Sequence, residues 1–90
     1  MRIDFDSETP IYIQIAEEME DAILSGAFPQ ESQVPSTTEI SATYRINPAT
    51  VLKGMALLTD EGVLYKKRGL GMFVRAGAPA QIREKRRRMF

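Results

Sequence analysis

Between Ser36 and Asn47 the chain begins a helix twice, and that spacing limits the fold more than any other feature of the sequence. Ser36 and Glu39 stand in capping-box register, in which the hydroxyl accepts from the third residue's backbone N–H and the carboxylate reaches back to the cap. Asn47 repeats the signal, with Pro48 in the first turn, where a missing N–H would have had no partner anyway. The helix opened by Ser36 is therefore short, carrying Ile40, Ala42 and Tyr44 before a turn at Arg45-Ile46. The helix opened by Asn47 runs to Glu61, lines one face with Val51, Met55 and Leu58, has Leu52 beside that stripe, and stops at Gly62. Two helices joined by so short a turn form a helix-turn-helix.

The flanking segments complete a small domain. Thr9 is expected to cap a first helix with Pro10 in its opening turn. Ile11, Ile15, Met19 and Ala22/Ile23 recur at helical spacing, Glu17, Glu18, Glu20 and Asp21 fill the outer face, and Gly26 followed by Phe28-Pro29 ends it. After Gly62 the period shortens. Val63-Leu64-Tyr65 and Met72-Phe73-Val74 read as strands joined by a basic, glycine-containing loop, Lys66–Gly71. Gly77-Ala78-Pro79 breaks the chain again, and Ala80–Phe90 reads as a last helix carrying the basic run Arg83–Arg88. The expected fold is mainly α with a small β-hairpin: a winged helix-turn-helix over residues 1–76, then a C-terminal helix over 77–90 that starts a dimerisation segment.

Several function classes drop out. The chain has no cysteine and no histidine, which removes disulfides, thiolate metal sites and the commonest general base. The carboxylates of the first helix form an acidic stripe with no partner base, and Ser36 and Thr50 have no histidine to activate them. Gly69-Leu70-Gly71 is too short for a dinucleotide fingerprint. No enzyme, metal site or cofactor is expected. No apolar run approaches the roughly 18 residues that span a bilayer, and Met1–Asp6 lacks a signal-peptide core, so a cytoplasmic protein without a membrane partner is expected.

The net charge of zero conceals a segregation. Residues 1–40 hold nine acids and one base, whereas residues 41–90 hold eleven bases and three acids. Such a chain can present one positive face to duplex DNA. Equally, the two halves can simply attract each other, and charge alone does not choose between these readings.

Two constellations follow the fold. The opening turn of the third helix offers Asn47, Ala49, Thr50 and then Lys53, away from the apolar stripe. Asn pairs with adenine, Thr or Ala packs on a thymine methyl, and a helix N-terminus favours phosphate. Asn47 also reads as a cap alone. The hairpin tip sets Lys66, Lys67 and Arg68 before two glycines, a narrow loop suited to a minor groove. It also reads as a solvated turn whose lysines guard strand edges. The C-terminal basic run fits a solvated face, an arm on phosphates or, as the preferred reading, a dimerisation helix with Ile82, Met89 and Phe90 on its apolar side.

Taken together, Pro10–Ile15, Leu24-Ser25-Gly26, Val34-Pro35-Ser36, Asn47–Val51, Glu61-Gly62-Val63 and Arg68–Val74 resemble the GntR family of bacterial transcription regulators, and within it the YtrA-like subgroup. The resemblance implies a homodimer held by C-terminal helices and binding a palindromic operator on double-stranded DNA, usually as a repressor, with an unidentified small-molecule effector as a further possible partner. By position, Asn47, Ala49 and Thr50 match the family's recognition turn, and Arg68, Gly69 and Leu70 its wing. Thr38 and Leu52 stand where many members carry Arg, so recognition is expected to be redistributed to Arg45, Lys53 and the wing. The expected contact set is Ser36, Thr38, Arg45, Asn47, Ala49, Thr50 and Lys53 with Lys67, Arg68, Gly69, Leu70 and Gly71. The rival from another class is a winged-helix protein-interaction module whose basic half docks an acidic partner.

Overall fold

A computed structural model describes residues 2–89. Its elements follow in the order α1 (Ile11–Ser25), α2 (Thr37–Tyr44), α3 (Pro48–Asp60), β1 (Leu64–Lys67), β2 (Gly71–Val74) and α4 (Ala78–Met89). The architecture is the mainly α winged helix-turn-helix with a trailing helix that the patterning predicts. Ile15, Met19 and Ile23 of α1 meet Ile40 of α2 and Val51, Met55 and Leu58 of α3 in one core. Each such side chain withdrawn from water contributes about 1.5–3 kcal/mol. Leu52 is excluded from it and lies exposed.

The start of α1 differs by one residue from expectation: Pro10 is the N-cap, and no side chain caps the helix. The buried Gln14 amide serves this end instead. It donates to the carbonyls of Asp4 and Thr9, both at 2.8 Å, and accepts the Asp4 N–H at 2.8 Å, clamping the N-terminal segment to the helix. The predicted box opens α2, with Ser36 Oγ accepting the Glu39 N–H and Glu39 accepting the Ser36 N–H, each at 3.1 Å. Arg45 closes α2 in the left-handed conformation (φ 54), and Ser41 Oγ donates to the Ile46 carbonyl at 2.6 Å, which fixes the turn into α3.

The hairpin is longer toward its tip than expected. Lys66 and Lys67 lie in β1, paired with Met72 and Gly71, rather than in the loop. Lysine is a poor strand former in isolation, but Lys66 faces water and Lys67 lies against aromatic rings, so the pairing costs little. The true turn is Arg68-Gly69-Leu70, closed by the Leu70 N–H on the Lys67 carbonyl at 2.9 Å, with Gly69 at φ +78 where a type II turn requires a positive angle. The outer edge of β2 is covered: Val34 donates to Met72 and Val74 donates to Ser32, both at 2.9 Å, around a bridge from Gln33 to Phe73.

The last helix begins at Ala78 rather than Ala80, and it shares the core of the rest. Ala78 and Ile82 are both 0% exposed. The reading of Ile82 as a dimerisation residue is therefore corrected, because its side chain fills the chain's own interior. Phe90, the companion of Met89 in that reading, lies outside the described residues. The acidic stripe on α1 also has partners after all. Lys85 is hydrogen-bonded to Glu20 and lies 3.2 Å from Glu61, while Arg86 lies 2.8 Å from Asp21 and 3.4 Å from Glu20. Glu20 is 2% exposed, and a carboxylate so buried needs such pairing.

The backbones of α1 and α3 come close together at Gly54. A Cβ at Gly54 would lie 2.7 Å from the Tyr12 carbonyl oxygen and 3.1 Å from Ile15 Cβ and Cγ2. Backbone cannot yield as a flexible side chain can, so Gly54→Val is expected to cost about 3 kcal/mol, the upper end of overpacking penalties. Urea unfolding checks this, and an unchanged midpoint would show that the helices separate freely.

A second expectation concerns alkali. Burial works to lower the Lys85 pKa, but the hydrogen bond and charge of Glu20, then those of Glu61, outweigh it and raise the ammonium above its usual 10.5. A pKa raised by folding adds stability that is complete below the unfolded value and is lost as pH climbs through the folded one. Wild-type stability should therefore fall above about pH 10, and less steeply in Lys85→Met. Parallel denaturation profiles for the two proteins would exclude this pair as the source.

Candidate nucleic-acid interface

The packing of α3 decides what it can offer. With Val51, Gly54, Met55 and Leu58 turned inward, Ala49, Leu52, Lys53 and Ala56 fall on one exposed stripe, spaced i, i+3, i+4, i+7. Thr50 is half-buried on the flank of that stripe. Asn47 caps the helix, its Oδ1 accepting the Ala49 N–H at 2.8 Å, so the amide oxygen is already engaged. Lys53 holds its Nζ 4.1 Å from the centroid of the Tyr12 ring, a cation–π contact that ties the charge to the start of α1. Tyr12 is thus a functional neighbour the sequence did not single out.

Residues ahead of α3 are arranged by the capping geometry. The Ser36 hydroxyl is engaged in its capping box, whereas Thr38 is exposed on the first turn of α2. Arg45, on the turn between the two helices, is exposed. Its left-handed backbone is unusual for a residue with a Cβ and fixes where the side chain leaves the fold.

At the other end of the candidate surface, Arg68, Gly69 and Leu70 form the exposed wing tip. Lys67 differs from them: its Nζ sits 4.2 Å from the Phe73 ring centroid and 5.8 Å from that of Tyr65, so its charge rests on the hairpin rather than projecting from the tip. Gln33 braces the tip by donating to the Leu70 carbonyl at 2.6 Å. Gly71, at φ +121, leaves room for that amide, since a Cβ there would come within 2.7 Å of Gln33 Nε2.

The base of the wing is held by Glu31, another residue the sequence did not mark. Its carboxylate accepts from the Tyr65 hydroxyl at 2.6 Å and from the Ala76 N–H at 3.0 Å, linking the α1–α2 loop, β1 and the approach to α4. The Tyr65 hydrogen bond, the largest influence, with the Ala76 N–H and the nearby Lys67 and Arg75 charges, outweighs desolvation and holds the Glu31 carboxyl below its usual pKa. Both Glu31 and Gln33 act across more than thirty positions of sequence, so no local pattern announces them.

Every ion pair among the described residues involves a cation of α4: Lys85, Arg86 or Arg87. Among the described residues, Arg45, Lys53, Lys66, Lys67, Arg68 and Arg75 face no carboxylate within ion-pair distance. The segregated charge is therefore resolved in two parts. Glu20 and Asp21 of the first helix pair with Lys85 and Arg86, Arg87 pairs with Glu84 of its own helix, and the cations of the helix-turn-helix and wing have no carboxylate partner among the described residues.

Comparison with known proteins bears on what this surface belongs to. The family described as "Bacterial regulatory proteins, gntR family" matches residues 11–74, from the first residue of α1 to the last of β2. The HTH-type transcriptional repressor YtrA of Bacillus subtilis is 33% identical over 84 residues, which cover 93% of this chain and 65% of that protein. This chain spans only 30% of the NagR repressor of the same organism. The structure of YtrA from Sulfolobus acidocaldarius superposes with a TM-score of 0.81 at 28% identity, over 99% of this chain and 80% of that one. The AraR DNA-binding domain in complex with operator ORX1 superposes with a TM-score of 0.74 at 25% identity, over 82% and 95% of the two chains. This chain therefore belongs to the GntR family of bacterial regulatory proteins, in its YtrA-like branch, and carries that family's winged helix-turn-helix DNA-binding fold.

Proposed function

We propose that this chain is the DNA-binding part of a transcriptional repressor that grips a palindromic operator as a homodimer, with α3 in the major groove and the wing tip in the adjacent minor groove. The observation that carries the reading is the set of cations on the helix-turn-helix and wing that have no carboxylate partner among the described residues, beside an α4 whose Lys85, Arg86 and Arg87 are paired. Cations without carboxylate partners are free to replace the counterions of a phosphate backbone. The AraR DNA-binding domain in complex with its operator supports a DNA-binding role, and the repressor names of YtrA and NagR support the sign of regulation.

In this reading the roles divide by what each side chain has left to offer. Ser36 and Asn47 organise helix starts, so the first-turn backbone that follows each of them faces phosphate while Thr38 and Arg45 flank it. Ala49, Thr50 and Lys53 approach the major groove from α3. Arg68 enters the minor groove, where negative potential draws in a guanidinium, with Gly69, Leu70 and Gly71 shaping the approach and Lys67 supporting the hairpin. A second copy is met through Met89, 65% exposed at the end of α4, beside Ile13 and Leu57 in the open groove between α1 and α4.

Fluorescence anisotropy with a duplex selected from random sequence tests the proposal. Affinity should fall log-linearly with salt, while preference for one two-fold-symmetric sequence persists. Salt dependence without sequence preference would instead indicate a module docking acidic partners. Arg68→Ala is expected to weaken binding about tenfold and to relax discrimination at the base pairs under the wing. Unchanged affinity and preference in that variant would remove the wing from the contact.

A further inference from the structure

We infer that α3 reads thymine methyl groups in an A·T-rich major groove, with Leu52 as the specificity-determining residue. This rests on the DNA-binding reading above and names the sequence class it selects. Three of the four residues on the outward stripe of α3 end in carbon, Ala49, Leu52 and Ala56, the fourth being Lys53, and Leu52 is 59% exposed. A large apolar side chain this exposed gains nothing from water, and Leu52 lies on the flank of the outward stripe, one helical step from Val51.

The polar groups of α3 do not supply a guanine contact. Guanine is recognised in the major groove by a bidentate Arg or Lys on O6 and N7. Lys53 is the single base on α3, and its ammonium is held 4.1 Å from the Tyr12 ring centroid of α1. Asn47, which could pair with adenine, has its oxygen committed to the cap. Thr50 is half-buried on the flank, and a threonine hydroxyl pairs with either kind of base, so what the stripe distinguishes is a carbon feature of the groove. The thymine C5-methyl is the one such feature that an ordinary base pair presents there. Small residues at 49 and 56 let the helix sit close enough for Leu52 to reach it.

The chemistry also sets the scale. Burying one methyl-sized group against carbon changes an equilibrium about fourfold, so a site reading a few methyl groups gains specificity without any base hydrogen bond from α3. The exposed position makes the residue testable, because substitution at 52 leaves the core untouched.

The experiment uses the full chain and duplexes selected from random sequence. Thymines in the selected duplex are then replaced one at a time by deoxyuridine, which removes the major-groove methyl and leaves the minor-groove edge and base pairing unchanged. Thymine should be enriched at the central major-groove positions of each half-site. Deoxyuridine at those positions should weaken wild-type binding about fourfold per methyl, and the loss should vanish in Leu52→Ala. Leu52→Arg should shift selection toward guanine at the same positions. Invariant guanine there for the wild type, indifference to deoxyuridine, or an equal loss in Leu52→Ala would each overturn the inference while DNA binding stands. Failure to enrich any sequence would overturn the DNA-binding reading and this inference with it.

Discussion

The contact between α1 and α3 at Gly54 fixes the rotation of α3 about its own axis, and much of the surface follows from that rotation. Without a Cβ, residue 54 lets the helix settle against the Tyr12 carbonyl and Ile15. That seating drives Val51, Met55 and Leu58 into the core, and helical geometry then leaves Ala49, Leu52, Lys53 and Ala56 outside. The same approach brings the Tyr12 ring beneath Lys53. One packing contact thereby determines both which residues are presented and how the single cation among them is held.

Charge is organised by a second constraint, the burial of Glu20. An isolated carboxylate in that position would carry a large desolvation cost, and Lys85 and Arg86 offset it from α4. The pairing draws the last helix onto the first and gives the acidic half of the sequence a structural role. Glu20 and Asp21 are engaged with α4, and among the described residues the cations of the turn and wing have no carboxylate within ion-pair distance. Zero net charge and a positive working face are compatible for this reason, and composition alone could not have separated them.

The elements that were legible in the sequence are those written in local chemistry. The Ser36–Glu39 box, Asn47-Pro48, the left-handed Gly26 and the glycines of the wing all act within a few residues, and each stands where its pattern indicates. Where a decision depended on distant partners, local pattern misled. Lys66 and Lys67 belong to a strand because Met72 and Gly71 pair with them, and Lys67 gains from two rings that composition does not place. Ile82 looked like half of an exterior face because its helix is so basic, yet the core of the first three elements had room for it. Glu31 and Gln33 were invisible for the same reason: each looks like an ordinary loop polar residue until the wing folds back onto it.

These supports bear on how a small surface could bind with useful affinity. A flexible loop that enters a groove gives up conformational freedom, and each rotamer-rich side chain immobilised there costs roughly 0.5–1.5 kcal/mol. In the proposed complex the wing meets much of its own share of that cost beforehand. The Leu70 N–H closes the turn, Gln33 holds the Leu70 carbonyl, and Glu31 ties the hairpin base through Tyr65. What remains to be ordered at the tip is chiefly the Arg68 side chain. In that complex α3 is held as well, since its cap, the turn before it and its inner face are engaged within the fold. A carbon-lined helix that discriminates weakly per contact then works beside a pre-ordered cationic wing that supplies attraction, so affinity and specificity reside on different elements and can be altered independently.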